Sequence, residues 1–120
     1  MKTILVVEDT ASQAQIITGT LNNAGFTTIL AGSSEEARTT IEKQRPDAIV
    51  MDVVLPGASG FELCRELKDN PSTKDIPVVL CSTKDSEMDK FWGMKQGASS
   101  YITKPIDATA LLKAVQALVA

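Results

Sequence analysis

Ile4-Leu5-Val6-Val7-Glu8-Asp9 is an unbroken apolar run that ends in two acids, and it is the clearest indication of the fold. Four consecutive large apolar residues, three of them β-branched, are typical of a strand that is covered on both faces. Similar short apolar runs return four more times along the chain, and each is followed by a segment with helical periodicity. Strands covered on both faces and separated by helices indicate a parallel sheet.

The boundaries of the elements follow from capping and helix-breaking residues. Ser33 and Ser59 each stand three residues before a glutamate, which is the capping-box pattern at a helix start. We predict strands at 4–7, 27–31, 47–51, 77–81 and 100–103, and helices at 12–24, from 33 up to Pro46, from 59 to near Pro71, at 86–96 and from 107 onward. This alternation predicts a (βα)5 three-layer α/β sandwich whose five-stranded parallel sheet has the order 2-1-3-4-5, as in flavodoxin-like folds.

Composition excludes several classes of function. The 120 residues predict one domain spanning 1–120, and the net charge of −3 disfavours direct binding to nucleic acid. No apolar run approaches the length of a membrane span and no signal peptide is evident, so we expect a cytoplasmic protein without membrane insertion. The absence of histidine excludes Ser-His-Asp and Cys-His catalysis. Cys64 and Cys81 lie in apolar stretches and are expected to be ordinary buried thiols.

Polar residues with complementary chemistry stand at the ends of four predicted strands. Glu8 and Asp9 follow strand one, Asp52 follows strand three, Ser82 follows strand four and Lys104 follows strand five. In a parallel sheet these strand ends meet at one edge, where open α/β proteins bind their ligands. The sequence therefore predicts a site that combines three carboxylates, one hydroxyl and one ammonium group.

The three acids of this predicted site suit a hard divalent cation. Two like charges 4 Å apart repel by about 4 kcal/mol at an effective dielectric constant near 20. A single lysine offsets only part of this repulsion, and a small set of oxygen ligands is typical of Mg²⁺. Beside a metal and a lysine, Asp52 can act as a nucleophile toward a phosphoryl group, with Ser82 and Lys104 as donors to its oxygens.

Four motifs in order along the chain resemble the receiver domain of two-component response regulators, the chemotaxis-regulator-like family. They are Leu5-Val6-Val7-Glu8-Asp9, Val50-Met51-Asp52-Val53-Val54-Leu55-Pro56-Gly57-Ala58-Ser59-Gly60, Pro77-Val78-Val79-Leu80-Cys81-Ser82, and Gly97-Ala98-Ser99-Ser100-Tyr101-Ile102-Thr103-Lys104-Pro105. The resemblance covers the whole chain. The stretch from Cys81 to Pro105 is similar to single-domain regulators of type IV pilus motility and of cyanobacterial phototaxis.

This resemblance implies roles for the residues at the strand ends. Asp52 would be the phosphoacceptor, and it would bind Mg²⁺ directly together with Asp9 and the backbone carbonyl of Val54. Glu8 would contribute to the metal site through water. Lys104 would pair with the phosphoryl group, and the Lys104-Pro105 peptide is expected to be cis.

The resemblance also implies a switch and partners. Ser82 would move toward the phosphoryl group and Tyr101 would fill the space it leaves, although Tyr101 can also be read as a plain strand-edge residue. The phosphoryl group would come from a histidine kinase or phosphotransfer protein, and an unidentified output protein would read the signal.

Of Phe91 and Trp92, one is expected to face the core, and an exposed Trp92 would be a candidate anchor for a partner.

Three alternatives compete with this interpretation. A hydrolase of the haloacid-dehalogenase type also uses a nucleophilic aspartate and Mg²⁺, but it needs a second acid where this chain has Val54. A flavin-binding module of the same fold needs a phosphate-cradling loop after strand one, where Glu8 and Asp9 would repel a phosphate. A degenerate receiver would bind partners without phosphorylation. We expect a phosphoacceptor switch and not an enzyme that turns over a separate substrate.

Overall fold

The structure is a parallel five-stranded sheet with helices on both faces, in a computed structural model that describes residues 2–119. The strands are β1 (Thr3–Val7), β2 (Thr27–Ala31), β3 (Ala48–Asp52), β4 (Val78–Ser82) and β5 (Ser100–Thr103). The helices are α1 (Ala11–Asn23), α2 (Ser34–Lys43), α3 (Gly60–Asp69), α4 (Glu87–Lys95) and α5 (Ala108–Val119). The strand order β2-β1-β3-β4-β5 confirms the predicted flavodoxin-like topology.

Alternate residues of each strand belong to two apolar layers, one on each face of the sheet. On one face, Val6 and Val50 pack with Ile17 of α1 and Leu111 of α5. On the other face, the neighbouring strand residues pack with α2 and α3 through the buried side chains of Leu5, Met51, Ala37, Ile41, Leu63 and Leu67. The sheet is therefore covered on both sides, which is why its strands are apolar without alternation.

The predicted helix starts agree with the structure to within one residue, whereas α2 ends at Lys43, before the predicted stop at Pro46. The side chains of Ser33, Ser59 and Asp107 accept hydrogen bonds from the backbone N–H groups of Glu36, Glu62 and Thr109, at 3.1, 3.2 and 2.9 Å. These bonds satisfy donors that have no partner within the helix.

Across the described chain, no helix is long and apolar enough to cross a bilayer.

Two strands lie one residue further along the chain than the sequence predicts. β3 is Ala48–Asp52 instead of 47–51, and β4 is Val78–Ser82 instead of 77–81. Pairing between neighbours extends the ladder at this edge, because Asp52 pairs with Cys81 and Ser82 pairs with Thr103. Asp52 and Ser82 are thus the last residues of their strands, and the sheet itself fixes their backbones.

Both cysteines are free and fully buried, as predicted. Burial raises the pKa of Cys64 to about 11 and that of Cys81 to about 12. The thiolate is the reactive form of cysteine, so both side chains act as apolar packing groups at neutral pH.

Gly60, the first residue of α3, lies where the chain leaves the end of β3. Its N–H donates to the carbonyl oxygen of Val53 at 2.7 Å, which closes the loop between β3 and α3 at its base. A Cβ atom at this position would overlap the carbonyl oxygen of Asp52 and approach the Cα of Val53 to 2.8 Å. Only glycine allows the helix to start this close to the strand.

We predict that Gly60→Ala lowers the free energy of unfolding by at least about 2 kcal/mol, because backbone atoms would have to move to admit the methyl group. Gly19→Ala is the matched control, since a Cβ there meets nothing within 4 Å. That change should raise the free energy of unfolding by about 0.5–1 kcal/mol. Denaturant unfolding measures the free energy of unfolding of both variants. Equal changes in that free energy would contradict the close approach at Gly60.

Candidate functional site

Three acids gather at the carboxyl edge of the sheet, where the sequence predicts them. Glu8 comes directly after β1, and its backbone N–H still pairs with the carbonyl oxygen of Ala31 at 3.0 Å. Asp52 ends the neighbouring strand β3. One carboxylate oxygen from each of Glu8, Asp9 and Asp52 lies within 4.8 Å of the other two. Glu8 and Asp52 are buried, whereas Asp9 is exposed at the rim.

Lys104 links two of these acids. Its Nζ donates to Glu8 Oε1 at 2.5 Å and to Asp52 Oδ2 at 3.0 Å. Burial by itself lowers the pKa of Lys104, but the hydrogen bonds to Glu8 and Asp52 outweigh it and hold that pKa above its ordinary value. Burial raises the pKa of Glu8, and the hydrogen bond from Lys104 offsets only part of this effect. Lys104 is therefore charged and balances part of the negative charge of the cluster.

The donor set of the cluster fits a hard divalent cation. Three carboxylates and one ammonium group leave a net formal charge of −2 in a space where the ligand oxygens lie within 4.8 Å. The possible metal ligands in this cluster are all carboxylate oxygens. Because Asp9 is exposed, one side of the cluster is open to water. Mg²⁺ is the cation that prefers few protein carboxylates and retains several waters.

The loop between β3 and α3 adds backbone groups to the site. The N–H of Val54 donates to Asp52 Oδ1 at 3.2 Å, which orients the carboxylate opposite Lys104. The N–H of Val53 is already bonded to the carbonyl oxygen of Cys81 at 3.2 Å and is not free to face a ligand. Val54 carries no acid and is 58% exposed, so solvent reaches the loop.

A cleft of about 500 Å³ opens above Asp52 and Lys104. Its other walls include Thr10 and Gln13 from the start of α1, together with Val54, Thr83 and Pro105. The sequence does not single out Thr10 or Gln13, because neither carries a charge and their place depends on how α1 leaves the sheet. The Lys104-Pro105 peptide at the far wall is cis, as expected.

Comparisons with known proteins identify the family of the chain. The family model of the response regulator receiver domain matches residues 4–116. The chain belongs to the response regulator receiver domain family. Protein PilH of Pseudomonas aeruginosa is 38% identical over 120 residues, which cover 100% of this chain and 99% of PilH.

Solved structures of receiver proteins superpose closely on this receiver domain. The chemotaxis protein CheY4 of Vibrio cholerae has a TM-score of 0.90 and 31% identity, with 98% of each chain covered. The signal receiver domain of a histidine kinase from Syntrophus aciditrophicus has a TM-score of 0.92 and 34% identity, covering 99% of this chain and 90% of that one. The similarity to PilH and CheY4 confirms the expected resemblance to the pilus and chemotaxis group of receivers.

Ser82 and Tyr101 lie next to each other at the far side of the site. Ser82 is fully buried at the end of β4, and its Oγ accepts a hydrogen bond from the N–H of Lys84 at 3.1 Å. The Tyr101 hydroxyl donates to the carbonyl oxygen of Lys84 at 2.7 Å. Burial raises the pKa of Tyr101, and a side-chain hydrogen bond with Ser82 acts in the opposite direction. The two predicted switch residues of this receiver domain therefore share one hydrogen-bonded loop.

The expectation that one of Phe91 and Trp92 faces the core is wrong. Phe91 is 59% exposed and Trp92 is 53% exposed. The helix α4 packs against the sheet through Gly93, where a Cβ atom would lie 2.8 Å from the Tyr101 ring. Because a small residue makes this contact, the large apolar side chains of α4 point away from the sheet.

We predict that Lys104→Met lowers the free energy of unfolding by about 3 kcal/mol in metal-free buffer, because the carboxylates lose their buried countercharge. Lys113→Met is the matched control, since Lys113 is an exposed lysine of α5 that has no ion pair among the described residues. That variant should unfold within about 0.5 kcal/mol of the wild type. Equal midpoints for the two variants in denaturant would contradict a stabilising role for the Lys104 ion pairs.

Proposed function

We propose that this receiver domain is a stand-alone response regulator that accepts a phosphoryl group on Asp52 in a Mg²⁺-dependent reaction. The donor is a phosphohistidine on a histidine kinase or phosphotransfer protein. The observation that carries the proposal is the Asp52 carboxylate, buried at a strand end, 3.0 Å from Lys104 and clustered with Glu8 and Asp9. The protein acts in the cytoplasm as a switch, without turnover of a separate substrate.

The chemistry of Asp52 follows from its two hydrogen bonds. Lys104 holds Oδ2 and the N–H of Val54 holds Oδ1, so the carboxylate has a fixed orientation toward the cleft. An oxygen of Asp52 attacks the phosphorus atom, the P–N bond to the donor imidazole breaks, and its electron pair stays on that nitrogen, which takes up a proton. The product is an acyl phosphate on Asp52. Lys104 then pairs with an oxygen of the transferred group.

The metal ligands proposed for Mg²⁺ are Asp9, Asp52 and the backbone carbonyl of Val54, with Glu8 acting through water. When bound, the ion neutralises charge on the phosphoryl oxygens. The exposure of Asp9 and Val54 leaves this side of the site open for the ion and its waters. Glu8 is buried and bonded to Lys104, which suits a residue that supports the site without direct ligation.

The signal is proposed to leave through Ser82 and Tyr101. The Ser82 hydroxyl turns toward the phosphoryl group and gives up its bond with the N–H of Lys84. The Tyr101 ring then fills the space that Ser82 leaves, and its hydroxyl releases the carbonyl oxygen of Lys84. The loop before α4 is rearranged as a result.

The output partner is proposed to bind on α4 by protein–protein contact, without direct contact to nucleic acid. Large apolar side chains on this helix are unusually exposed, with Met88 at 74% and Trp92 at 53%. Trp92 is an effective anchor because it buries a large area at low entropy cost. Tyr101, below the helix, connects this surface with the site.

We predict that acetyl phosphate with Mg²⁺ adds one phosphoryl group to the wild type and none to Asp52→Asn, as measured by intact mass. Asp85→Asn is the control, because Asp85 is an exposed loop acid outside the cluster. It should gain mass like the wild type. No gain in the wild type would support a degenerate receiver, and an undiminished gain in Asp52→Asn would place the acceptor elsewhere.

We predict that the emission of Trp92, the only tryptophan, changes when the phosphodonor is added in the presence of Mg²⁺. The change should be lost in Asp52→Asn and reduced in Tyr101→Ala, because Tyr101 connects the site with α4. Steady-state fluorescence measures both. A wild-type protein that is phosphorylated with no change in emission would separate phosphorylation from the α4 surface.

A further inference from the structure

We infer that Ser34 is a positioning residue for the loop between β3 and α3, and that it sets the affinity of the site for Mg²⁺. Ser34 lies at the start of α2, outside the acidic cluster, and is only 1% exposed. Its Oγ accepts a hydrogen bond from the N–H of Ala58 at 2.9 Å and donates to the carbonyl oxygen of Pro56 at 3.3 Å. One buried hydroxyl therefore holds two backbone groups of a loop that is distant in sequence.

The loop is fixed at two places. At its base, the N–H of Gly60 bonds to the carbonyl oxygen of Val53 at 2.7 Å. At its tip, Ser34 holds Pro56 and Ala58 on either side of Gly57, whose φ of +82° turns the chain. Between these two places lie only Val54 and Leu55 before the tip, so the position of the Val54 carbonyl depends on both attachments.

The two neighbouring serines have different tasks. Ser33 caps α2, because its Oγ accepts from the N–H of Glu36 at 3.1 Å. Ser34 is already inside the helix, and its hydroxyl bonds to Pro56 and Ala58 of the loop instead of to α2. A hydroxyl that is buried inside a helix start and directed at another loop contributes little to the helix itself. Its effect is on the loop.

A tight contact at Gly57 supports the same assignment. A Cβ atom at Gly57 would lie 2.8 Å from Ser34 Oγ, so the loop tip and the hydroxyl are in close contact. Glycine serves the turn at this position in two ways, since it permits a positive φ and leaves room for Ser34. The loop tip thus depends on Ser34 as closely as its base depends on Gly60.

The consequence for the site rests on the proposed function, in which the Val54 carbonyl faces Mg²⁺. Without the Ser34 hydroxyl, the N–H of Ala58 loses its acceptor and the tip of the loop is free to shift. The Val54 carbonyl would then be fixed at the base of the loop and, at the tip, only through the bond from the backbone N–H of Ser34 to the Pro56 carbonyl oxygen at 3.5 Å. Binding of the ion would have to restore the loop geometry, and that cost would appear as weaker affinity.

The test is titration calorimetry of Ser34→Ala with Mg²⁺. We expect affinity for Mg²⁺ to fall about tenfold, as for the loss of a buried hydrogen bond. With acetyl phosphate as donor, the Mg²⁺ concentration for half-maximal phosphorylation should rise by the same factor, while the rate at saturating Mg²⁺ stays within about twofold of the wild type. A general loss of structure would lower the saturating rate instead.

Ser33→Ala is the matched control, since it removes the cap of the same helix and leaves the loop bonds in place. It should lower the melting temperature and leave the affinity for Mg²⁺ unchanged. Unchanged affinity in Ser34→Ala, or an equal fall in both variants, would overturn the role of Ser34. A wild type that binds no Mg²⁺ would instead overturn the proposed function, so the two failures are distinguishable.

A double-mutant cycle with Gly57→Ala tests the contact itself. The strain of a positive φ is present in both backgrounds and cancels in the cycle. Gly57→Ala should weaken Mg²⁺ binding at least threefold more in the wild type than in the Ser34→Ala background, because the clash with the Oγ is absent there. Additive effects on affinity would contradict direct coupling between the loop tip and Ser34.

Discussion

Repulsion among Glu8, Asp9 and Asp52 is the constraint on which the site depends. The carboxylates converge because β1 and β3 are parallel neighbours that end at the same edge. Lys104 reaches across from the end of β5 and bonds to two of them. One ammonium group does not balance three carboxylates. The rest of the fold must therefore offset the electrostatic repulsion that remains at this edge of the sheet. The apolar layers on both faces of the sheet supply the stability that makes this arrangement possible.

The fold and the central residues of the site could be predicted from the sequence. Apolar runs without alternation indicate a sheet covered on both faces, and serines three residues before glutamates mark the helix starts. Acids at the carboxyl ends of β1 and β3 must meet, because these parallel strands are neighbours in the sheet. Asp52 and Lys104 could be found in this way because their position depends on strand order and hardly on side-chain packing.

The remaining features depend on contacts between distant segments, and local sequence patterns carry no record of these. The Phe91–Trp92 pair looks amphipathic, but Gly93 makes the contact of α4 with the sheet and leaves both aromatic residues exposed. Ser34 reads as a second serine at a helix start, and its bonds to a loop more than 20 residues away appear only in three dimensions.

Cys81 lies opposite Asp52 in the β3–β4 register, yet its thiol is fully buried and stays protonated far above neutral pH. Oxidants react with thiolates that they can reach, and this sulfur satisfies neither condition. A sulfur atom therefore lies beside the acidic cluster in a position where oxidants do not reach it.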